Sequence, residues 1–466
     1  MNADTLKLFL PSLFVLGFVA LLAYLRFLAT RVQRRLRGFL KIRGDTAAFL
    51  RSNSLSIHQE IDALRAMEDG LSQLGLTHEL VGINAIVSST KPPMVNLPSM
   101  LAGNFNRGFG AVISVRRTVG PGKTAELPTG AIRLCAAGDQ RGALVLLRTE
   151  NVFHQEIQFE LAVPDTPPAR AWGSQLLADL EAWMVSHSIF RGQAVAPTLE
   201  PPGVMRLEFA DISLPDGIVM EERLRADLDV NFLAFVRHRE RLAKMGVPAR
   251  RGLLLTGPPG SGKTSTCRWL RSQLPDHTFF VVPSQVLGEA KELFGLARRL
   301  APAVVVIEDV DLAMRTPDPA FPNAPLKDLL NQLDGLEDRQ DVMVVLTSNS
   351  TLPLEQALAD RPGRIDHTIR YEAPAGPHRR AMLARAVRDM KLLAPLDDVV
   401  SLADGLTAAQ LCELTKRAAV RAIQRTPDRD PEVSLLDFRA ALDELSASGA
   451  AARGEREGKV RRLPKG

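Results

Sequence analysis

Gly252-Leu253-Leu254-Leu255-Thr256-Gly257-Pro258-Pro259-Gly260-Ser261-Gly262-Lys263-Thr264 is the stretch on which the reading of this chain turns. Its opening apolar run has the character of a short buried parallel strand, and the residues from Lys263 to Leu270 fit a helix. Between them lies the pattern G-x-x-x-x-G-K-T in the strand–loop–helix setting it requires. Glycines allow successive backbone N–H groups to turn inward around phosphate oxygens, and the N-terminus of the following helix favours negative charge. Gly257, Pro258, Pro259, Gly260, Ser261 and Gly262 therefore form a candidate phosphate loop. Lys263 is suited to meet β- and γ-phosphates and Thr264 to ligate Mg2+.

Two further apolar runs follow at the right distance. Val304 to Ile307 ends in Glu308-Asp309-Val310-Asp311, which puts carboxylates where a buried strand would emerge beside a nucleotide. Mg2+ needs an acidic partner and an attacking water needs a base, so Glu308 is the second metal candidate and Asp309 the candidate base. Val342 to Leu346 leads to Thr347-Ser348-Asn349, from which Asn349 would orient the water.

Leu326 to Leu336 (LKDLLNQLDGL), Asn349 and Ala357 to Asp366 (ALADRPGRID), together with both phosphate-binding motifs, resemble the ATPase core and second region of homology of AAA ATPases. The resemblance covers about Val204 to Leu445. It implies an α/β fold: a P-loop nucleotide-binding subdomain over 204–375, a helical lid over 376–447, ATP and Mg2+ as cofactors, and assembly into a ring, usually of six copies. It also implies that Arg361 and Arg364 reach the γ-phosphate of a neighbouring subunit. The fixed fork of donors on arginine suits charge spread over phosphoryl oxygens. Asp211-Ile212 matches the family's motif near the adenine, and Gly405 to Leu411 resembles a lid stretch carrying small residues near the nucleotide.

Two departures from the family pattern are visible. Glu308 precedes Asp309, where most members have Asp then Glu. That order resembles the membrane-anchored mitochondrial AAA proteins that translocate the Rieske iron–sulfur subunit. The threading members place aromatic–hydrophobic–Gly in the pore loop, where this chain has Val286-Leu287-Gly288.

Ahead of the ATPase region, Leu8 to Leu25 is apolar and uncharged, and as a helix it would rise about 27 Å, close to a bilayer's hydrocarbon thickness. Only Lys7 precedes it, whereas Arg26, Arg31, Arg34, Arg35, Arg37, Lys41 and Arg43 follow. This asymmetry predicts a transmembrane anchor over 1–40, with a short N-terminus outside and the ATPase on the cytoplasmic face of a bacterial inner membrane or the matrix face of a mitochondrial one. The region 41–78 reads as a helical stalk and 79–198 as a small β-rich α+β domain contacting substrate or adaptor. Within it Ile157, Phe159 and Leu161 alternate with Gln158 and Glu160, as in a half-buried strand. Trp172, Leu176, Leu180, Trp183 and Met184 share one face of a helix. Pro197, Pro201, Pro202 and Gly203 mark a boundary, and 448–466 reads as a solvated tail with no protease domain before it.

With 45% hydrophobic and 24% charged residues in 466, the chain has material for several folded units and fits no disordered, collagen-like or disulfide-scaffold class. Cys135, Cys267 and Cys412 lie far apart in no metal-binding pattern, and no H-E-x-x-H helix is present. The net charge of +5 is small for the length, and no basic–aromatic stretch suggests a nucleic-acid partner. The expectation is an ATP hydrolase that remodels, translocates or assembles protein substrates at a lipid bilayer. The alternative is a nucleotide-gated scaffold with slow turnover.

Overall fold

The computed structural model describes residues 20, 27, 30–43, 46–83, 97–102, 109–150, 155–200, 204–215, 218–247, 251–313, 328–329, 331–333, 341–349, 365–427 and 430–447. Internal packing divides the chain into two compact units, Met1–Gln193 with Pro197–Phe209, and Ala194–Ala196 with Ala210–Gly466.

The first unit is built on an antiparallel sheet. Strands β1 (Ala47–Arg51), β2 (Thr77–Ile83), β3 (Ala131–Ala137), β4 (Gln140–Glu150) and β5 (Gln155–Pro164) lie in the order β1-β5-β4-β3-β2, and Phe109–Gly110 pairs outside β2. One face packs Ile157, Phe159, Leu161 and Val163 against helix α1 (Glu60–Arg65), Met67, Leu71 and helix α2 (Pro167–Ser186). The tryptophans behave as core: Trp183 is buried, and Trp172 packs against the same cluster.

The other face of the sheet is covered as well, contrary to the half-buried reading of β5. Val32, Leu36 and Leu40, one turn apart on a helix over 30–40, join Leu97, Met100 and Leu101 against Ala143, Val145 and Ala162. Glu160 on this face is fully buried, and its carboxylate accepts hydrogen bonds from Arg51 Nε (3.1 Å) and Nη2 (2.9 Å) and from Leu97 N (2.9 Å). A buried charge so paired avoids the cost of an unsatisfied one.

This packing corrects two expectations. Apart from Arg26, which lies outside the described residues, the basic residues expected to flank a membrane anchor lie on and beside an amphipathic helix docked on the sheet: Arg37 donates to Leu101 O and Arg35 pairs with Glu79. Among the described residues no helix is long and apolar enough to cross a membrane, which overturns the expected single-pass membrane placement. Leu8 to Leu25, apart from Ala20, lies outside the described residues. The stretch 41–78 is not a helical stalk either. It supplies β1, α1 and part of β2, because β1 pairs with residues 160–164, about 110 positions away, a partnership that helical periodicity does not reveal.

The second unit is α/β. Strands β6 (Gly252–Thr256), β7 (Thr278–Pro283), β8 (Ala303–Glu308), β9 (Val342–Ser348) and β10 (His367–Arg370) form a parallel sheet in the order β7-β8-β9-β6-β10, and Ala194–Val195 adds to β7. β6 and β9 are buried throughout, as expected of strands covered on both faces. Helix α3 (Lys263–Gln273) follows β6, and α4 (Ala290–Arg299) lies between β7 and β8. Beyond β10, helices α5 (Gly376–Ala386), α6 (Leu396–Leu402) and α7 (Ala408–Arg425), with a helix over 435–447, close around Leu383, Val399, Leu411, Leu414 and Phe438. A capping box fixes the start of α7: Gln410 N donates to Thr407 Oγ1 (3.5 Å) and Thr407 N to Gln410 Oε1 (2.9 Å).

Candidate nucleotide site

The parallel register brings the sequence-predicted residues together at the carboxyl ends of three adjacent strands. Thr256 pairs with Ser348, and Ile307 with Leu346. The loop after β6, Glu308 at the end of β8 and Asn349 just past β9 therefore share one edge, the usual ligand position of an open α/β sheet.

Lys263 opens α3 and is buried. Its Nζ donates to Gly257 O (2.7 Å), Pro258 O (3.0 Å) and Asn349 Oδ1 (2.9 Å). Burial pushes its ammonium below the ordinary lysine value, opposed by the nearby charges of Asp309 and Asp311. The other end of the Asn349 amide donates from Nδ2 to Asp309 Oδ1 (2.7 Å). One side chain thus joins the loop cation to the candidate base. Thr264 Oγ1 donates to Glu308 Oε1 (3.3 Å) beside this chain of contacts.

Sequence reasoning did not single out Asp311 for a role, yet it anchors the arrangement. It is buried, and its Oδ1 accepts from Asn349 N (3.0 Å) and Ser348 Oγ (3.2 Å). Asp309 N donates to Thr347 Oγ1 (3.0 Å), and its φ of 48° places it in the left-handed region.

The site opens into a cavity of about 1400 Å³ between the sheet edge and the lid. Ile218, Val219, Met220 and Leu224 form part of one wall, and Met382, Ala386, Ala409 and Cys412 contribute from the lid. Asp211 and Ile212 are not among its walls. Asp211 folds onto its own turn, accepting from Ser213 N (3.0 Å) and Oγ (2.6 Å), bonds that hold its carboxyl below the usual range. Ile212 packs against the core of the sheet unit. The apolar triplet Ile218-Val219-Met220 was the available signal for this wall.

The lid meets the loop directly. Ala409 N donates to Gly260 O (2.9 Å), and a Cβ on Gly260 would stand 2.5 Å from Ala409 Cβ. The small residues read from Gly405 to Leu411 thus include one that touches the phosphate loop. Arg361 and Arg364 lie outside the described residues. Val286 and Leu287 are buried in a 3-10 turn over Ser284–Glu289, so neither presents a gripping surface.

The residues fit a magnesium–nucleotide. Ser261 Oγ is buried without a hydrogen-bond partner, and no atom lies within 4 Å of the position a Cβ would take on Gly262, whose φ is 107°. Lys263 supplies a cation, and Thr264 with Glu308 supplies the hard oxygen ligands Mg2+ prefers. Among the described residues no group of three or more His, Cys, Asp and Glu is arranged to hold a metal by itself. The fit is to a metal bound through one or two side chains and substrate phosphates.

Residues 253–373 match the family model described as "ATPase family associated with various cellular activities (AAA)". The chain is 33% identical over 254 residues to "ATP-dependent zinc metalloprotease FtsH 3" of Sphaerobacter thermophilus, covering 51% of this chain and 50% of that protein. It is 31% identical over 223 residues to "Proteasome-activating nucleotidase 2" of Haloferax volcanii, covering 44% and 53%. It is 26% identical over 387 residues to "Cell division cycle protein 48 homolog" of Archaeoglobus fulgidus, covering 77% and 51%. The chain spans about half the length of these curated relatives.

Proposed function

We propose that this chain, whose residues 253–373 match the AAA ATPase family model, uses ATP and Mg2+ and that the whole protein hydrolyses ATP to remodel, translocate or assemble protein substrates as a ring of its own copies. The observation that carries this reading is the Asn349 amide, which bridges Lys263 and Asp309 at 2.9 and 2.7 Å. Bound Mg2+ would neutralise charge on the phosphate oxygens. Thr264 and Glu308 would hold that ion, Lys263 would exchange its carbonyl partners for phosphate oxygens, and Asn349 would orient a water that Asp309 polarises. Arg361 and Arg364 act in the neighbouring copy's site.

Support for protein substrates comes from the relatives, whose names describe a protease and a proteasome activator. The order Glu308-Asp309 favours a relation to the Rieske-subunit translocases over the proteases, and the first unit is the candidate surface for substrate or adaptor. A second reading, a nucleotide-gated scaffold with slow turnover, is favoured by the burial of Val286 and Leu287, which leaves this turn without a grip for threading.

Turnover by the purified full chain with Mg2+ separates the readings, with Lys263→Ala as the blank. Phosphate release well above the blank is expected. Release no faster than the blank would sink the hydrolase reading, and rings that form with ATP despite it would leave the scaffold.

A further inference from the structure

Tyr371 follows β10 directly, where the chain leaves the sheet for the lid. Its N–H donates to Thr256 O (2.7 Å), one residue beyond the β10–β6 ladder. Its backbone closes on the first residue of the phosphate loop, since a Cβ on Gly257 would stand 2.5 Å from Tyr371 O. Its ring reaches the first turn of α3 beyond the loop, where Tyr371 OH lies 2.5 Å from Thr266 Oγ1.

Either hydroxyl can donate in that hydrogen bond. Thr266 Oγ1 has one proton and lies 3.3 Å from Gly262 O, to which it donates. With that proton directed at Gly262 O, Thr266 Oγ1 accepts from Tyr371. Burial pushes the Tyr371 phenol above its ordinary value, so its proton is present for this bond at physiological pH. The relay runs from Tyr371 O–H to Thr266 Oγ1–H to Gly262 O. Gly262 O also accepts from Thr266 N (3.0 Å). The Gly262 carbonyl shares a rigid peptide plane with Lys263 N–H. Fixing the carbonyl on the helix side therefore aims that N–H toward the loop's concave face.

We infer that Tyr371 is a positioning residue for the phosphate loop, closing on its first residue and, through Thr266 in the first turn of α3, orienting the Gly262–Lys263 peptide toward nucleotide phosphates. The inference rests on the reading of this site as an ATP site. Tyr371 acts through Thr266 and the loop backbone, and it couples the loop to the segment leading into the lid.

The test compares nucleotide binding by the full chain and its variants, using a fluorescent ATP analogue for affinity and adenosine as competitor. Tyr371→Phe keeps the ring and loses the relay's first donor; an effect of about three- to tenfold on ATP Kd and KM is expected, with kcat falling less. Adenosine affinity should change much less, because the relay serves the phosphates; a general loss of structure would weaken both alike. Thr266→Val should match Tyr371→Phe, the double variant should be no worse than either, and Thr266→Ser should stay close to the unmutated protein.

Unchanged ATP affinity in Tyr371→Phe, equal losses for ATP and adenosine, or additive losses in the double variant would each overturn the inference. Should Tyr371→Phe fail to fold, the Thr266→Val and Thr266→Ser pair decides by the same ATP-to-adenosine comparison. If the unmutated protein binds no ATP, the ATP reading itself fails, which is a different result from intact binding that Tyr371→Phe leaves unaltered.

Discussion

Gly260→Ala tests whether the lid is seated on the phosphate loop by size alone. Gly260 has a φ of 76°, and its missing Cβ leaves room for Ala409 Cβ, which would otherwise lie 2.5 Å away. A left-handed alanine costs about 1–2 kcal/mol. Carbon atoms pack at about 3.5–4.0 Å, so the lid must withdraw by roughly 1 Å or more. That withdrawal stretches the 2.9 Å bond from Ala409 N to Gly260 O, at a further cost of about 0.5–1.5 kcal/mol. If the whole of about 2–3 kcal/mol falls on the nucleotide-bound, lid-seated state, ATP affinity drops roughly 30- to 150-fold. Fluorescent-nucleotide titration measures the loss, and urea unfolding checks that the variant is folded. Adding Ala409→Gly removes the clash but not the backbone strain, so about three- to tenfold of the affinity should return. A folded Gly260→Ala with unmutated affinity would refute the reasoning, as would a double variant that recovers nothing.

Asp309→Asn should bind ATP and fail to hydrolyse it, whereas Glu308→Gln should weaken Mg2+-dependent binding and spare metal-free affinity; an Asp309→Asn variant that turns over normally shows that another group is the base. Arg361→Ala or Arg364→Ala should keep binding while hydrolysis falls, and mixing with Lys263→Ala subunits should restore some turnover in verified mixed rings, an outcome impossible if the arginines act within their own site. Asp62 accepts from Ser188 Oγ (2.5 Å) and Ile189 N (2.9 Å), but burial outweighs these bonds and the charge of Arg65 and pushes its carboxyl from 3.8 to about 6. The folded state therefore holds a proton the unfolded state has lost between those two values, and stability from this group rises as pH falls from about 6 toward 4. Urea unfolding at pH 7 and pH 5 should show the unmutated protein gaining on Asp62→Asn at the lower pH, and an unchanged difference would remove Asp62 as the cause.

What the sequence made legible follows from the range of the interactions involved. The loop from Gly257 to Thr264 is a local device whose backbone needs, cation and hydroxyl lie within a few residues, so spacing alone displayed it. Glu308 and Asn349 were readable because each ends an apolar run, and parallel pairing aligned the ends of those runs. Asp311 was visible only as one more acid, since its role depends on meeting the Asn349 backbone across 38 residues. Asp211-Ile212 misled because a two-residue match carries no information about the Ser213 turn that holds Asp211 apart. The basic stretch after Leu25 misled for a related reason: charge asymmetry reports an exposed face equally well whether lipid or a sheet lies behind it. Val32, Leu36 and Leu40 carried the correct helical period, but the sheet they cover is assembled from strands between residues 47 and 164.

The φ of 48° at Asp309 has an evolutionary consequence. Asp tolerates the left-handed region better than most side chains, yet it still gives up about 1–2 kcal/mol that glycine would not. Hydrogen bonding at the end of β8 makes that conformation hard to relax, since Asp309 N is held by Thr347 and Asp309 O by Leu312 N. A library selected for heat resistance and nothing else should therefore enrich glycine at 309. With Asp309 read as the base, the winners would fold well and no longer split ATP, leaving this aspartate as a residue that only selection for turnover retains.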